Sequence, residues 1–130
     1  MKRYEIKFDI SEYNMFKIIK DYKLKHLYPQ RTIQSFYFDT LDYSYFIESE
    51  EGQTPRKKIR LRSYNYKKTH SLEIKFTNAY HRKKIVIKNF IYNYNNLLLQ
   101  LKKLNINELI HPKLLVSYRR YYFSSTIGRV

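Results

Sequence analysis

The sequence contains no cysteine and no tryptophan, and it has only two glycines. It has 11 acidic residues against 26 basic ones. Each shortage excludes something. Without cysteine there is neither a disulfide frame nor a thiolate metal site. With Gly52 and Gly128 as the whole glycine complement, a glycine-rich phosphate loop is ruled out. No aliphatic run exceeds three residues, as at Leu97-Leu98-Leu99, whereas a membrane-spanning helix needs ~20. No apolar run follows Met1-Lys2-Arg3, which argues against a signal peptide. The expectation is a soluble, cytoplasmic protein without a transmembrane segment. His26, His70, His81 and His111 are scattered with no metal-ligand spacing and read as surface residues. No Ser/His/Asp set stands out.

What is present is cationic and aromatic. The 130 residues suit a single domain and carry a net charge of +15, with 15 tyrosines and 8 phenylalanines. Such a field attracts polyanions and says nothing of fold. The Lys, Asn, Ile and Tyr bias is also what an AT-rich genome produces, so the aromatic content alone assigns no function.

Along the chain, Lys2 to Phe8 reads as a strand with Arg3, Glu5 and Lys7 on one face. Asp9 and Ser11 offer helix caps. Glu12 to Lys25 follows with Met15, Ile18, Ile19 and Tyr22 at helical spacing, read as core packing against a sheet. Tyr28-Pro29-Gln30-Arg31 reads as breaking that helix. Thr32 to Asp39 reads as a strand, Asp42 to Glu51 as a short helix, and Gln53-Thr54-Pro55 as loop. Lys57 to Tyr66 and Ser71 to Phe76 read as a hairpin, and His81 to Lys84 leads into another strand. Asn93 to Asn96 reads as loop or cap, followed by an amphipathic helix on Leu97, Leu98, Leu101 and Leu104. Pro112 ends a linker before a strand from Leu114 to Phe123. Ile127-Gly128-Arg129-Val130 reads as a turn entering a further strand. Sheet dominates, with helices outside and no linker dividing the chain.

The most informative stretch is Lys58-Ile59-Arg60-Leu61-Arg62-Ser63-Tyr64. Successive strand side chains point to opposite faces, so Lys58, Arg60 and Arg62 share one face and Ile59 and Leu61 the other. Leu72-Glu73-Ile74-Lys75-Phe76 repeats the pattern. Arg56 to Lys88 holds twelve basic residues and one acidic residue, Glu73. A solvated sheet face is one reading, since antiparallel sheets allow it. The other is a concave polyanion site, in which arginine forks and lysine point charges meet phosphate oxygens. Glu5 and Glu73 each sit within a basic face. They read either as local counter-charges or as oxygen ligands for Mg²⁺ or Mn²⁺ beside substrate phosphates.

Five stretches then carry a resemblance. Arg3-Tyr4-Glu5-Ile6-Lys7-Phe8, Ser35-Phe36-Tyr37-Phe38-Asp39-Thr40, Lys58 to Tyr64, Leu72-Glu73-Ile74-Lys75 and Val116-Ser117-Tyr118-Arg119-Arg120 occur in that order. Together they resemble the VTC domain, the polyphosphate polymerase domain of the vacuolar transporter chaperone family. That family belongs to the CYTH-like triphosphate tunnel metalloenzymes. The resemblance spans nearly the whole chain. It implies an α+β fold, a single VTC-like domain over 1–130 built on an antiparallel β tunnel with flanking helices. The implied reaction moves the γ-phosphoryl group of ATP onto polyphosphate with a divalent metal, Mn²⁺ or Mg²⁺. By motif, Arg60, Arg62 and Lys75 are implied as catalytic. Lys7, Lys58, Arg82, Lys83, Lys84, Arg120 and Arg129 are implied as further phosphate contacts, and Glu5 and Glu73 as metal ligands. ATP and inorganic polyphosphate are the implied partners, with no specific nucleic acid. The family's tunnel has later strands that these 130 residues do not contain. The expectation is therefore a C-terminally truncated, N-terminal portion of the tunnel, with a missing C-terminal half or partner chain and incomplete activity alone. A polyanion-binding module, an inactive remnant and a tunnel-fold triphosphatase are the alternatives.

Overall fold

The computed structural model describes residues 5–126 and 128–130. The element order is α1 (Glu12–Asp21), β1 (Lys25–Asp39), α2 (Ser44–Glu50), β2 (Arg56–Tyr64), β3 (His70–Thr77), β4 (Arg82–Phe90), α3 (Tyr94–Lys103), β5 (His111–Ser125) and β6 (Gly128–Arg129). The strands form one sheet in the order β4-β3-β2-β1-β5-β6. The class is α+β, and the sheet is open. Two compact units divide the chain: Met1–Gln30 with Tyr121–Val130, and Arg31–Arg120.

The larger unit is built around the β2–β3 hairpin. Asn65 and Tyr66 both have positive φ, +50° and +57°. The Lys67 amide donates to the Tyr64 carbonyl at 3.0 Å. Two left-handed residues inside such a bond make the turn whose twist matches that of antiparallel strands. Asn tolerates this conformation because its short polar side chain bonds locally. Here Asn65 also ties the turn to β1: its amide donates to the Thr32 carbonyl at 2.8 Å, and its Oδ1 accepts from the Thr32 amide at 2.9 Å. The turn therefore sets the pairing that continues as Ile33↔Tyr64, Ser35↔Arg62 and Tyr37↔Arg60.

One sheet face in this unit is apolar. Phe38, Ile59, Leu61, Leu72 and Ile74 join Leu97 and Leu101 of α3, Tyr45 of α2, and Ile106 and Ile110 to form the core. Asn93 starts α3 by accepting from the Asn96 amide at 2.8 Å. β4 contributes Ile85 and Ile87 to this side, and then a bulge intervenes. Leu72 pairs with Ile87 but His70 pairs with Phe90. Asn89 in the bulge has φ +52°. One extra residue reverses the alternation, which turns Phe90 into the core at 8% exposure.

Four expectations need correction. Glu5 to Phe8 form no strand, and the rest of that expected strand, with Arg3 and Tyr4, lies outside the described residues, as does Ile127. The helix expected to Lys25 ends at Asp21, and its apolar stripe is not core: no residue of α1 is buried, and Tyr22 just beyond it is 71% exposed. Periodicity marks a face that could be buried but does not supply a cover. The smaller unit, roughly 40 residues, is too small to enclose much. The helix break expected at Tyr28-Pro29-Gln30-Arg31 comes earlier: α1 has already ended at Asp21, and Pro29 stands inside β1, ahead of the Ile33–Phe38 stretch that pairs with β2. Pro112 likewise stands second in β5 rather than in a linker. The Ser11 cap is observed, its hydroxyl accepting from the Asn14 amide at 3.2 Å.

Candidate phosphate-binding site

The other face of β1–β4 in the larger unit collects the cations. Register puts Arg60 beside Tyr37 and Glu73, Arg62 beside Ser35 and Ser71, and Lys58 beside Lys75. It puts Lys75 beside Lys84, and Thr77 beside Arg82. Because cross-strand partners share a face, Arg56, Lys58, Arg60, Arg62, Lys75, Arg82 and Lys84 share this one with a single paired carboxylate, Glu73. Lys83 pairs with Phe76 and belongs to the opposite side.

The centre of the face is not wet. Arg62 is 9% exposed, Glu73 6% and Ser35 1%. Glu73 is the hub. Arg60 donates to its Oε2 from Nε at 2.7 Å and from Nη2 at 2.5 Å. Arg62 Nη1 lies 4.0 Å from the same oxygen, and Lys84 Nζ lies 3.2 Å from Oε1. Two hydroxyls aim the guanidinium groups: Arg60 Nη1 donates to the Tyr37 hydroxyl at 2.9 Å, and Arg62 Nε donates to Ser35 Oγ at 3.2 Å. Burial alone would raise the Glu73 pKa, but the hydrogen bonds from Arg60 and the charges of Arg60, Arg62 and Lys84 outweigh it and hold it below the ordinary value. Burial opposes the charge on Arg60 as well, yet bonds to Glu73 and Tyr37 raise its pKa. Three cationic side chains thus face one carboxylate. Such a half-buried excess of cations repels itself until an anion enters.

The other expected contacts are exposed side chains. Glu5 and Lys7 are exposed in the N-terminal segment, 3.7 Å from each other. Arg120 is exposed on β5, its Nη2 3.3 Å from the Tyr118 hydroxyl and its guanidinium 5.5 Å from that ring's centre. Arg129 is exposed in β6, paired with Ser124. Sequence reasoning missed Ser35 and Tyr37 as parts of the site. The signal was available in their two-residue spacing on β1, but it gains meaning only once β1 is known to pair with β2.

A protein-held metal does not fit the described residues. Among them no group of three His, Cys, Asp or Glu side chains comes together. Both oxygens of Glu73 are taken by Arg60 and Lys84. Among the described residues no helix is long and apolar enough to cross a membrane, a statement that leaves β-barrels aside. No curated protein matches the chain. A family model described as the VTC domain matches residues 2–130.

Proposed function

Because this chain belongs to the VTC domain family, we propose that its basic sheet face holds ATP and a polyphosphate chain and that the protein is a polyphosphate polymerase-type phosphotransferase. The observation that carries this reading is the gathering of Arg60, Arg62 and Lys84 around one buried carboxylate, with Lys58, Lys75 and Arg82 on the same side. One carboxylate cannot neutralise that set, and a chain of phosphates can. Arg60 and Arg62 are suited to grip phosphate oxygens two at a time, already aimed by Tyr37 and Ser35. Lysines act there as point charges.

In the proposed reaction a terminal oxygen of polyphosphate attacks the γ-phosphorus of ATP. The new P–O bond forms as the bond from the γ-phosphorus to the bridging oxygen breaks. The electron pair stays on that oxygen, and ADP leaves. Charge spreads over the transferred oxygens and onto the leaving group, where fixed guanidinium and ammonium groups stabilise it. The expected Mn²⁺ or Mg²⁺ would have to be held mainly by the substrate's own phosphate oxygens, as such ions often are, and none of these steps runs through it. Lys7, Arg120 and Arg129 enter as contacts on the resemblance alone.

The test is incubation with γ-labelled ATP, polyphosphate primer and Mn²⁺, with products resolved by gel. The expected result is a lengthening labelled chain. Arg62→Lys, which keeps the charge and loses the fork, should slow it at least about tenfold. Release of free phosphate without polymer would replace this reading with a triphosphatase. Polyphosphate binding with neither product would leave a binding module.

A further inference from the structure

The two arginines at the centre of the basic face are not equivalent. Arg60 is committed to neighbours. Its Nε and Nη2 both donate to Glu73 Oε2, at 2.7 and 2.5 Å, and its Nη1 donates to the Tyr37 hydroxyl at 2.9 Å. Arg62 is held by Nε alone, which donates to Ser35 Oγ at 3.2 Å. Its Nη1 stands 4.0 Å from Glu73 Oε2, beyond hydrogen-bond length. Among the described residues neither Nη1 nor Nη2 of Arg62 makes a hydrogen bond. Arg62 therefore presents an open fork, whereas a carboxylate already fills that of Arg60.

Glu73 stands where an anion on this face would have to come. Register sets Tyr37, Arg60, Glu73 and Val86 in one row across four strands, beside the row Lys58, Lys75 and Lys84. Glu73 reaches into that second row, with Lys84 Nζ 3.2 Å from Oε1. The two ends of this contact differ in freedom. The Glu73 side chain is 7% exposed and that of Lys84 49%. The lysine can swing toward a ligand, and the carboxylate cannot follow it out. A phosphate that engages Arg60 and Lys84 thus meets like charge fixed in a poorly solvated place, which opposes its binding.

We propose that Glu73 is a competing counter-ion built into the site: a phosphate chain takes Arg60 Nη2 and Lys84 from it on binding, and Glu73 takes them back as the chain moves on. The inference rests on the phosphate-binding reading above. The exchange orphans no charge. Arg60 Nε keeps its bond to Oε2 while Nη2 and Lys84 turn to the phosphates, so the buried carboxylate is never left without compensation. Arg62, whose fork Glu73 does not occupy, grips first. The consequence is a looser hold on each phosphate. A polymer that advances along a site needs binding strong enough to enter and weak enough to leave, as ions do in a pore.

The experiment is calorimetric titration of the unmodified chain and of Glu73→Gln with tripolyphosphate, each shown to be folded by circular dichroism. Removing like charge from beside the ligand should tighten binding at least about tenfold, with the gain read as slower dissociation in stopped flow. A carboxylate that only arranged Arg60 for the ligand would give the opposite sign, so equal or weaker binding by folded Glu73→Gln overturns the proposal. Glu73→Asp keeps the charge and should bind close to the unmodified chain; binding as tight as that of Glu73→Gln would also overturn it. One reading needs no variant. With carboxyl-¹³C glutamate in the unmodified chain, saturating tripolyphosphate should move the Glu73 resonance and leave that of exposed Glu51 in place. A Glu73 resonance that stays put overturns the exchange, even where Glu73→Gln does not fold. Absence of tripolyphosphate binding by the unmodified chain would instead overturn the phosphate face, and this role of Glu73 with it.

Discussion

Glu73 is the residue on which the cluster turns. It is buried, and three cations reach it within 4.0 Å. Removing one partner of a buried ionic group is worse than never having had the pair, because the remaining charges lose their compensation. Glu73→Gln is therefore expected to destabilise the fold by on the order of 3 kcal/mol, measured by urea unfolding. Tripolyphosphate should restore part of the loss, since an anion can take the place of the missing carboxylate among Arg60, Arg62 and Lys84. The pH dependence follows from the same contacts. The folded pKa of Glu73 is held below its ordinary value of 4.5. The ionised form thus stabilises the fold above the unfolded pKa, and that contribution disappears as pH falls through the folded one. The unmodified protein should lose stability below about pH 4.5, and Glu73→Gln should show a flatter acid limb. Identical acid limbs would mean that Glu73 is not the group responsible. At this scale the sequence was legible in part. It showed a lone carboxylate in a basic stretch, but its three partners come from the two strands that flank β3, Arg60 and Arg62 from β2 and Lys84 from β4, and only pairing reveals them.

At the scale of elements, two short segments decide where everything else points. The Asn65-Tyr66 turn fixes the β2–β3 register and, through Thr32, the β1–β2 register. Asn65→Ala loses both the tolerance for positive φ and the bond to the Thr32 amide, and is expected to cost about 1–2 kcal/mol in chemical unfolding. Asn65→Gly keeps the conformational freedom and should cost less. The Asp39 carboxylate serves α2 in the place of an ordinary cap, because Tyr43 at the N-cap makes no side-chain bond. Asp39→Ala should cost about 1 kcal/mol. It should also loosen the turn that carries Tyr43 and Phe46, measured as faster hydrogen exchange at the Tyr45 and Phe46 amides. The hairpin, the strands from Arg56 to Phe90 and the amphipathic helix near Leu97 were all readable from alternation and helical spacing. The bulge at Asn89 was not, because a one-residue excess is defined against a partner strand. Pro29 misled for a related reason: it read as the end of a helix, and only the sheet shows it inside a strand.

For the whole molecule the dominant fact is a net charge of +15. Self-repulsion of that size opposes compaction and is screened by salt, whose Debye length falls from ~10 Å at 0.1 M to ~3 Å at 1 M. Opposite trends are expected as sodium chloride is raised. Thermal stability should rise, and affinity for tripolyphosphate should fall, both measured on the same preparation. Polyanion affinity independent of salt would contradict a charge-driven site. The same field that raises anion affinity thus weakens the empty protein.

What the sequence determined by itself is which side chains share a face. The two-residue period of a strand is set by covalent geometry, so Lys58, Arg60 and Arg62 had to lie together once β2 was a strand, with Ile59 and Leu61 opposite. The family match follows from the same local patterns. Which strands are neighbours, and in what register, was left to the tertiary structure. Pairing seats Glu73 among Arg60, Arg62 and Lys84, brings Ser35 and Tyr37 up to the guanidinium groups, and sends Lys83 to the other side. It also withholds a buried position from the apolar stripe of α1, which local periodicity could not foresee. The physical reason is common to all of these. Alternation is a property of one chain segment, whereas register and burial depend on contacts between segments far apart in sequence.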